Sequence, residues 1–209
     1  VSSAASDVYK RQVQGWSIEE IQRITTETMR TVVTPAIYAE ARELIQEHQA
    51  RGHDVIIISA SASILVEPIA HELGVNTVVA TEMEIVDGQL TGEVTRYLKG
   101  PAKAVAVQQF ADEHGYDLEA SFAYSDSATD IPMLELVGNP VAVNPDRALR
   151  KHALSEGWDT RSFKDPVPLI QMPNAREVGI GAGVVAGVTA IVVGGVLISR
   201  ALRKEKRSA

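Results

Sequence analysis

The chain has no cysteine among its 209 residues. That excludes disulfides and any thiolate metal site. Aromatic residues make up only 5%, and no basic face with aromatics interleaved occurs, which argues against nucleic acid as a partner. Internal repeats, low-complexity tracts and a recognisable N-terminal signal peptide are also missing. What is present is 45% hydrophobic and 22% charged, a composition that suits one globular domain plus something extra. The net charge is -7, although residues 200–207 carry five basic side chains and one acidic one. The rest of the chain therefore sums to -11, an acidic body with a basic tail.

One long apolar run stands out. Val178 to Ser199 contains 22 residues without a charge, which as a helix would span roughly 33 Å and cross a bilayer core. The reading is a transmembrane helix over 178–199 followed by a basic tail, 200–209. Gly179, Gly183 and Gly187 recur every four residues, as do Ala182, Ala186, Ala190 and Gly194. Small residues so spaced would let two helices approach, giving a homodimer face. The expected location is the membrane, with a single-pass C-terminal anchor and the main domain in the cytoplasm.

Residues 1–12 keep no period and are set aside as non-native or disordered. Residues 13–50 read as a helical cap: Ser17-Ile-Glu-Glu20 offers a capping box, and Pro35 divides the stretch into two helices. Over 51–170, short β-branched runs alternate with helical ones, which predicts an α/β, Rossmann-like parallel sheet with helices on both faces. Asp54-Val-Ile-Ile-Ile-Ser59 is the first such strand, and the Asp87-Gly88 pair marks a hairpin.

Three polar sites fall at strand ends or helix starts. Ser59 ends a strand, where its hydroxyl and the following backbone N–H groups, beginning at Ala60, suit a phosphate oxygen. Lys103 stands in a helix's first turn, where a cation is disfavoured unless it meets an anion. Asp126 and Asp130 follow the apolar run Ser121-Phe-Ala-Tyr-Ser. Two acids so close need a cation or a lysine between them, and a hard cation such as Mg2+ fits oxygen ligands. Each also has a plainer reading: Ser59 as an N-cap, Lys103 as a solvated lysine, the aspartates as turn and cap residues.

Taken in order, these segments resemble the haloacid dehalogenase-like (HAD) hydrolases, in the subgroup with the phosphoserine phosphatases. Ile-Ile-Ile-Ser59-Ala-Ser is similar to the family's second motif, Gly100-Pro-Ala-Lys103 to its third, and Tyr-Ser-Asp126-Ser-Ala-Thr-Asp130-Ile-Pro-Met-Leu to its fourth. The resemblance implies that Ser59 and Ala60 bind substrate. It implies that Lys103 neutralises charge on nucleophile and phosphate, and that Asp126 and Asp130 hold Mg2+, with Asp130 also supporting Lys103. It implies a phosphomonoester hydrolase that forms an aspartyl-phosphate on a small phosphorylated metabolite or a lipid phosphate. The family's first motif, Asp-x-Asp-x-Thr after an apolar strand, has no counterpart here. The chain is therefore expected to be N-terminally truncated, inactive as it stands, and open in mid-sheet where that strand would lie. The alternatives are a membrane-tethered, non-catalytic binding protein and a phosphatase domain acting in phospholipid metabolism.

Overall fold

A computed structural model describes residues 14–29 and 33–164 in full and 196–199 as backbone. After a capping box, in which Ser17 Oγ accepts the Glu20 N–H and Glu20 Oε2 accepts the Ser17 N–H, both at 3.1 Å, comes α1 (Ile18–Thr28). A short turn of helix containing Pro35 (α2, Thr34–Ala36) leads to α3 (Ala39–Ala50). There follow β1 (Asp54–Ala62), α4 (Ser63–Glu72), β2 (Thr77–Val86), β3 (Gln89–Arg96) and α5 (Pro101–His114). The remainder is β4 (Phe122–Ser125), a 3-10 turn (Ala128–Asp130), α6 (Ile131–Leu134), β5 (Asn139–Val143), α7 (Arg147–Glu156), β6 (Asp159–Arg161) and β7 (Val196–Ser199).

The strands form one sheet in the order β3-β2-β1-β7-β4-β5-β6. β1 and β2 pair in parallel, as do β4, β5 and β6, while β3 and β7 run antiparallel to their neighbours. The α/β, Rossmann-like expectation is thus met, with two antiparallel members added. Along β1 the side chains alternate between faces. Val55 and Ile57 join Leu44 and Ile45 of α3, Val66 and Ile69 of α4, and Tyr124. Ile56 and Ile58 join Ala106 and Val107 of α5, Met133 and Leu134 of α6, and Leu149 of α7. The sheet is covered on both sides, which is why its central strands read as unbroken hydrophobic runs rather than alternating ones.

β1 continues past Ser59 to Ala62, through a register break between those two residues. The Asp87-Gly88 hairpin forms as expected, with φ of 50° and 75°. A two-residue turn of this hand needs positive φ at both positions, which Asp-Gly tolerates. The hairpin also holds the start of α1: the Ile18 N–H donates to Gly88 O at 3.0 Å and the Leu90 N–H to Trp16 O at 3.0 Å.

Two expectations are corrected by β7. The mid-sheet gap between β1 and β4 is not open: Val196–Ser199 pairs with Asp54–Ile57 on one side and Phe122–Tyr124 on the other. Those four residues are therefore strand, not the end of a transmembrane helix. Val196, Leu197 and Ile198 are apolar and two of them β-branched, which suits a pleated central position, and two strands with unpaired backbone edges supply the partners. Residues 178–195 of that expected helix lie outside the described residues, as do 1–12 and 200–209. Among the described residues, no helix is long and apolar enough to cross a membrane.

Candidate active site

The carboxyl ends of β1 and β4 lie at the same edge of the sheet, because both run antiparallel to β7. Val196 is in register with Ile57 on one side and Tyr124 on the other. Ser59 and Asp126, each two residues further on, therefore stand level, two strand spacings or about 10 Å apart. At this edge ligands bind in open α/β sheets.

Lys103 reaches the same place from α5. Gly100 takes φ 57° immediately before that helix, in the left-handed region that a side chain resists. Pro101 then opens the first turn. The Lys103 side chain is 5% exposed, and its ammonium donates to Asp130 Oδ2 at 2.8 Å. This excludes a solvated lysine and explains a cation in a first helical turn: the anion expected there is Asp130. Asp130, 2% exposed, makes no capping bond for α6, so its role is not that of a helix cap.

Asp130 Oδ2 also accepts the Ser125 hydroxyl at 2.8 Å, while Oδ1 is buried without a hydrogen-bond partner among the described residues. Asp126 is half-buried, and its carboxyl is pushed up to about 6. Burial is the main cause, with smaller contributions from the neighbouring Asp130 and Asp146 charges; its own backbone N–H and the Lys103 ammonium oppose the rise. An orphaned carboxylate oxygen beside a carboxyl held off its ordinary range is an arrangement that a hard cation would relieve. Among the described residues no three His, Cys, Asp or Glu side chains gather as a closed metal cage. Asp126 and Asp130 are two carboxylates, and Mg2+ is commonly held by one or two carboxylates completed with waters and phosphate oxygens.

Ser59 is 2% exposed, and its hydroxyl accepts the Ser61 N–H at 3.1 Å. It is not an N-cap, since Ala62 occupies that place on α4. Ala60 O is held by the buried Thr81 hydroxyl at 2.8 Å, and Thr81 Oγ1 accepts the Leu98 N–H at 3.1 Å. Thr81 therefore joins the Ser59–Ala60 stretch of β1 to the segment leading into Lys103. Asp146 caps α7 through the Leu149 N–H at 2.7 Å and also accepts the Ala128 N–H at 2.9 Å, while its own N–H donates to Asp126 O at 2.8 Å. Asp146, Thr81 and Ser125 are site residues that the sequence analysis does not single out. The capping position of Asp146 was legible, but the second bond of each residue depends on tertiary placement.

Residues 2–135 match the family of haloacid dehalogenase-like hydrolases. Over 159 residues the chain is 51% identical to a Streptomyces azureus protein named "Inhibition of morphological differentiation protein", covering 76% of this chain and 57% of that one. It is 37% identical over 179 residues to a phosphoserine phosphatase of Mycobacterium tuberculosis, covering 84% of this chain and 58% of that one. It therefore spans less than two thirds of the length of these relatives. A solved phosphoserine phosphatase in apo form superposes with TM-score 0.58 at 29% identity, over 75% of this chain and 74% of that one. A Bordetella pertussis protein of unknown function superposes with TM-score 0.66 at 34% identity, over 69% and 67%. The chain belongs to the haloacid dehalogenase-like hydrolases.

Proposed function

We propose that this chain carries the phosphate-binding and metal-binding side of a Mg2+-dependent phosphomonoester hydrolase of the phosphoserine phosphatase kind. The observation that carries this reading is the buried Lys103–Asp130 pair, with one carboxylate oxygen left over, beside Asp126 and level with Ser59. Asp126 and Asp130 Oδ1 would hold Mg2+, which when bound supplies charge for the phosphoryl oxygens. Lys103 keeps a fixed positive charge at the same spot without solvent reorganisation. Ser59 and the Ala60 backbone offer donors at the end of β1 for a tetrahedral anion.

The sequence contains no Asp-x-Asp anywhere, so the residues described here bind and polarise but provide no assigned nucleophile. An aspartyl-phosphate step needs a carboxylate in line with the phosphorus. The 209-residue chain should accordingly show no Mg2+-dependent turnover of p-nitrophenyl phosphate. A chain extended with an apolar strand ending in Asp-x-Asp, seated between β1 and β4 in place of β7, should turn it over, and Asp126→Asn in that extended chain should lower kcat by about 100-fold or more. Unchanged kcat in that variant would remove the metal assignment. The phosphorylated substrate is read as a small metabolite, by the likeness to phosphoserine phosphatases; comparing phosphoserine with a lysophospholipid phosphate tests that reading.

A further inference from the structure

Ser125 closes β4 and is 3% exposed. Its hydroxyl donates to Asp130 Oδ2, the oxygen that also takes the Lys103 ammonium, both at 2.8 Å. The same hydroxyl accepts the Ser127 N–H at 3.2 Å. A hydroxyl has one proton, and a backbone donor on its acceptor side leaves that proton directed at the carboxylate. Lys103 alone would not fix the carboxylate: with the ammonium, on a flexible four-carbon stem, as its only donor, the carboxylate could turn and the pair would hold no single geometry. Ser125 has a single side-chain torsion and sits on a packed strand end. Two donors on Oδ2, one of them rigid, leave Oδ1 as the oxygen without a partner among the described residues.

We propose that Ser125 is a positioning residue for the metal side of the site: it orients Asp130 so that one oxygen holds the lysine and the other is presented as a ligand atom. This rests on the metal-assisted reading above. Outer bonds that orient a ligating carboxylate change metal affinity by about 10–100-fold.

The test uses the 209-residue chain and its Ser125→Ala and Ser125→Thr variants, with Mn2+ as a paramagnetic probe followed by electron paramagnetic resonance. The Lys103 ammonium is followed in parallel by nitrogen-15 NMR. Ser125→Ala should bind Mn2+ about tenfold or more weakly and lose the slowly exchanging Lys103 ammonium signal. Ser125→Thr, which retains the hydroxyl, should restore both. Parent-like Mn2+ affinity in Ser125→Ala would overturn the proposal. If the parent binds no Mn2+, the metal reading itself fails, and the ammonium signal still decides the orienting role: its persistence in Ser125→Ala overturns that role, and its loss there with return in Ser125→Thr supports it.

Discussion

Asp130 and Asp126 are both acidic, yet their removal has opposite consequences. Lys103 and Asp130 are buried against each other, so Asp130→Asn leaves a buried ammonium without its anion. Such a change costs about 3–5 kcal/mol, read as a fall in urea midpoint. Asp126 makes no ion pair among the described residues and is held protonated further up the pH scale by burial. Asp126→Asn should leave the midpoint unchanged or raise it, while abolishing Mn2+ binding. Thr81 offers a third contrast, because its hydroxyl satisfies both Ala60 O and the Leu98 N–H. Thr81→Val keeps the shape and strips both partners, at about 1–3 kcal/mol for each buried group left unpaired, and equilibrium denaturation measures it. Of these residues, Lys103, Asp126 and Asp130 were legible from type and spacing. Thr81 was not, since its partners are 21 and 17 positions away.

At the scale of elements, β7 carries the most consequence. It supplies the only pairing for the inner edges of β1 and β4 among the described residues. Leu197→Pro removes a backbone donor from that position, and proline is tolerated essentially only at sheet edges. Hydrogen exchange should then quicken at Val55–Ile57 and Phe122–Tyr124 while α5 and the β2–β3 hairpin keep their protection. Unaltered exchange along β1 and β4 would show that the four-residue strand contributes nothing to the sheet. The sequence pointed elsewhere because an uncharged run satisfies the criteria for a membrane helix whatever its partner. Only the two unpaired strand edges make its last four residues a strand. The hairpin and the capping box, by contrast, were legible because Asp87-Gly88 and Ser17-Glu20 act within a few residues of themselves.

Over the whole molecule, the two ends of the sheet are chemically different. The carboxyl edge collects Ser59, Lys103, Asp126 and Asp130. Towards the amino edge, His48 bonds Tyr124 Oη through Nε2 and His53 through Nδ1, each at 2.8 Å. Burial lowers His48 to about 4, helped by the His53, Arg51 and Arg161 charges, and burial raises Tyr124 to about 12. A histidine whose folded pKa lies below its unfolded value of 6.5 adds nothing to pH dependence above that value. Between about 6.5 and 4 the unfolded chain takes up the proton first, so stability falls as pH drops, by roughly 3 kcal/mol at most. The urea midpoint of the parent should fall more steeply than that of His48→Gln as pH drops from about 6.5 to about 4, because Asp126, held up to about 6 and acting in the opposite sense, is common to both chains. Alternating strands and helices made the layers of the fold legible. The placement of Ser59 level with Asp126 was not, because it depends on a strand more than seventy residues further along the chain.

The direct measurement is the coupling between metal and anion on the 209-residue chain, read by phosphorus NMR of inorganic phosphate with and without Mg2+. If Ser59, Lys103 and the two aspartates serve one cavity, Mg2+ will tighten phosphate binding, and either Ser59→Ala or Asp126→Asn will abolish that tightening. Phosphate binding indifferent to Mg2+, or coupling that survives both substitutions, would contradict the account.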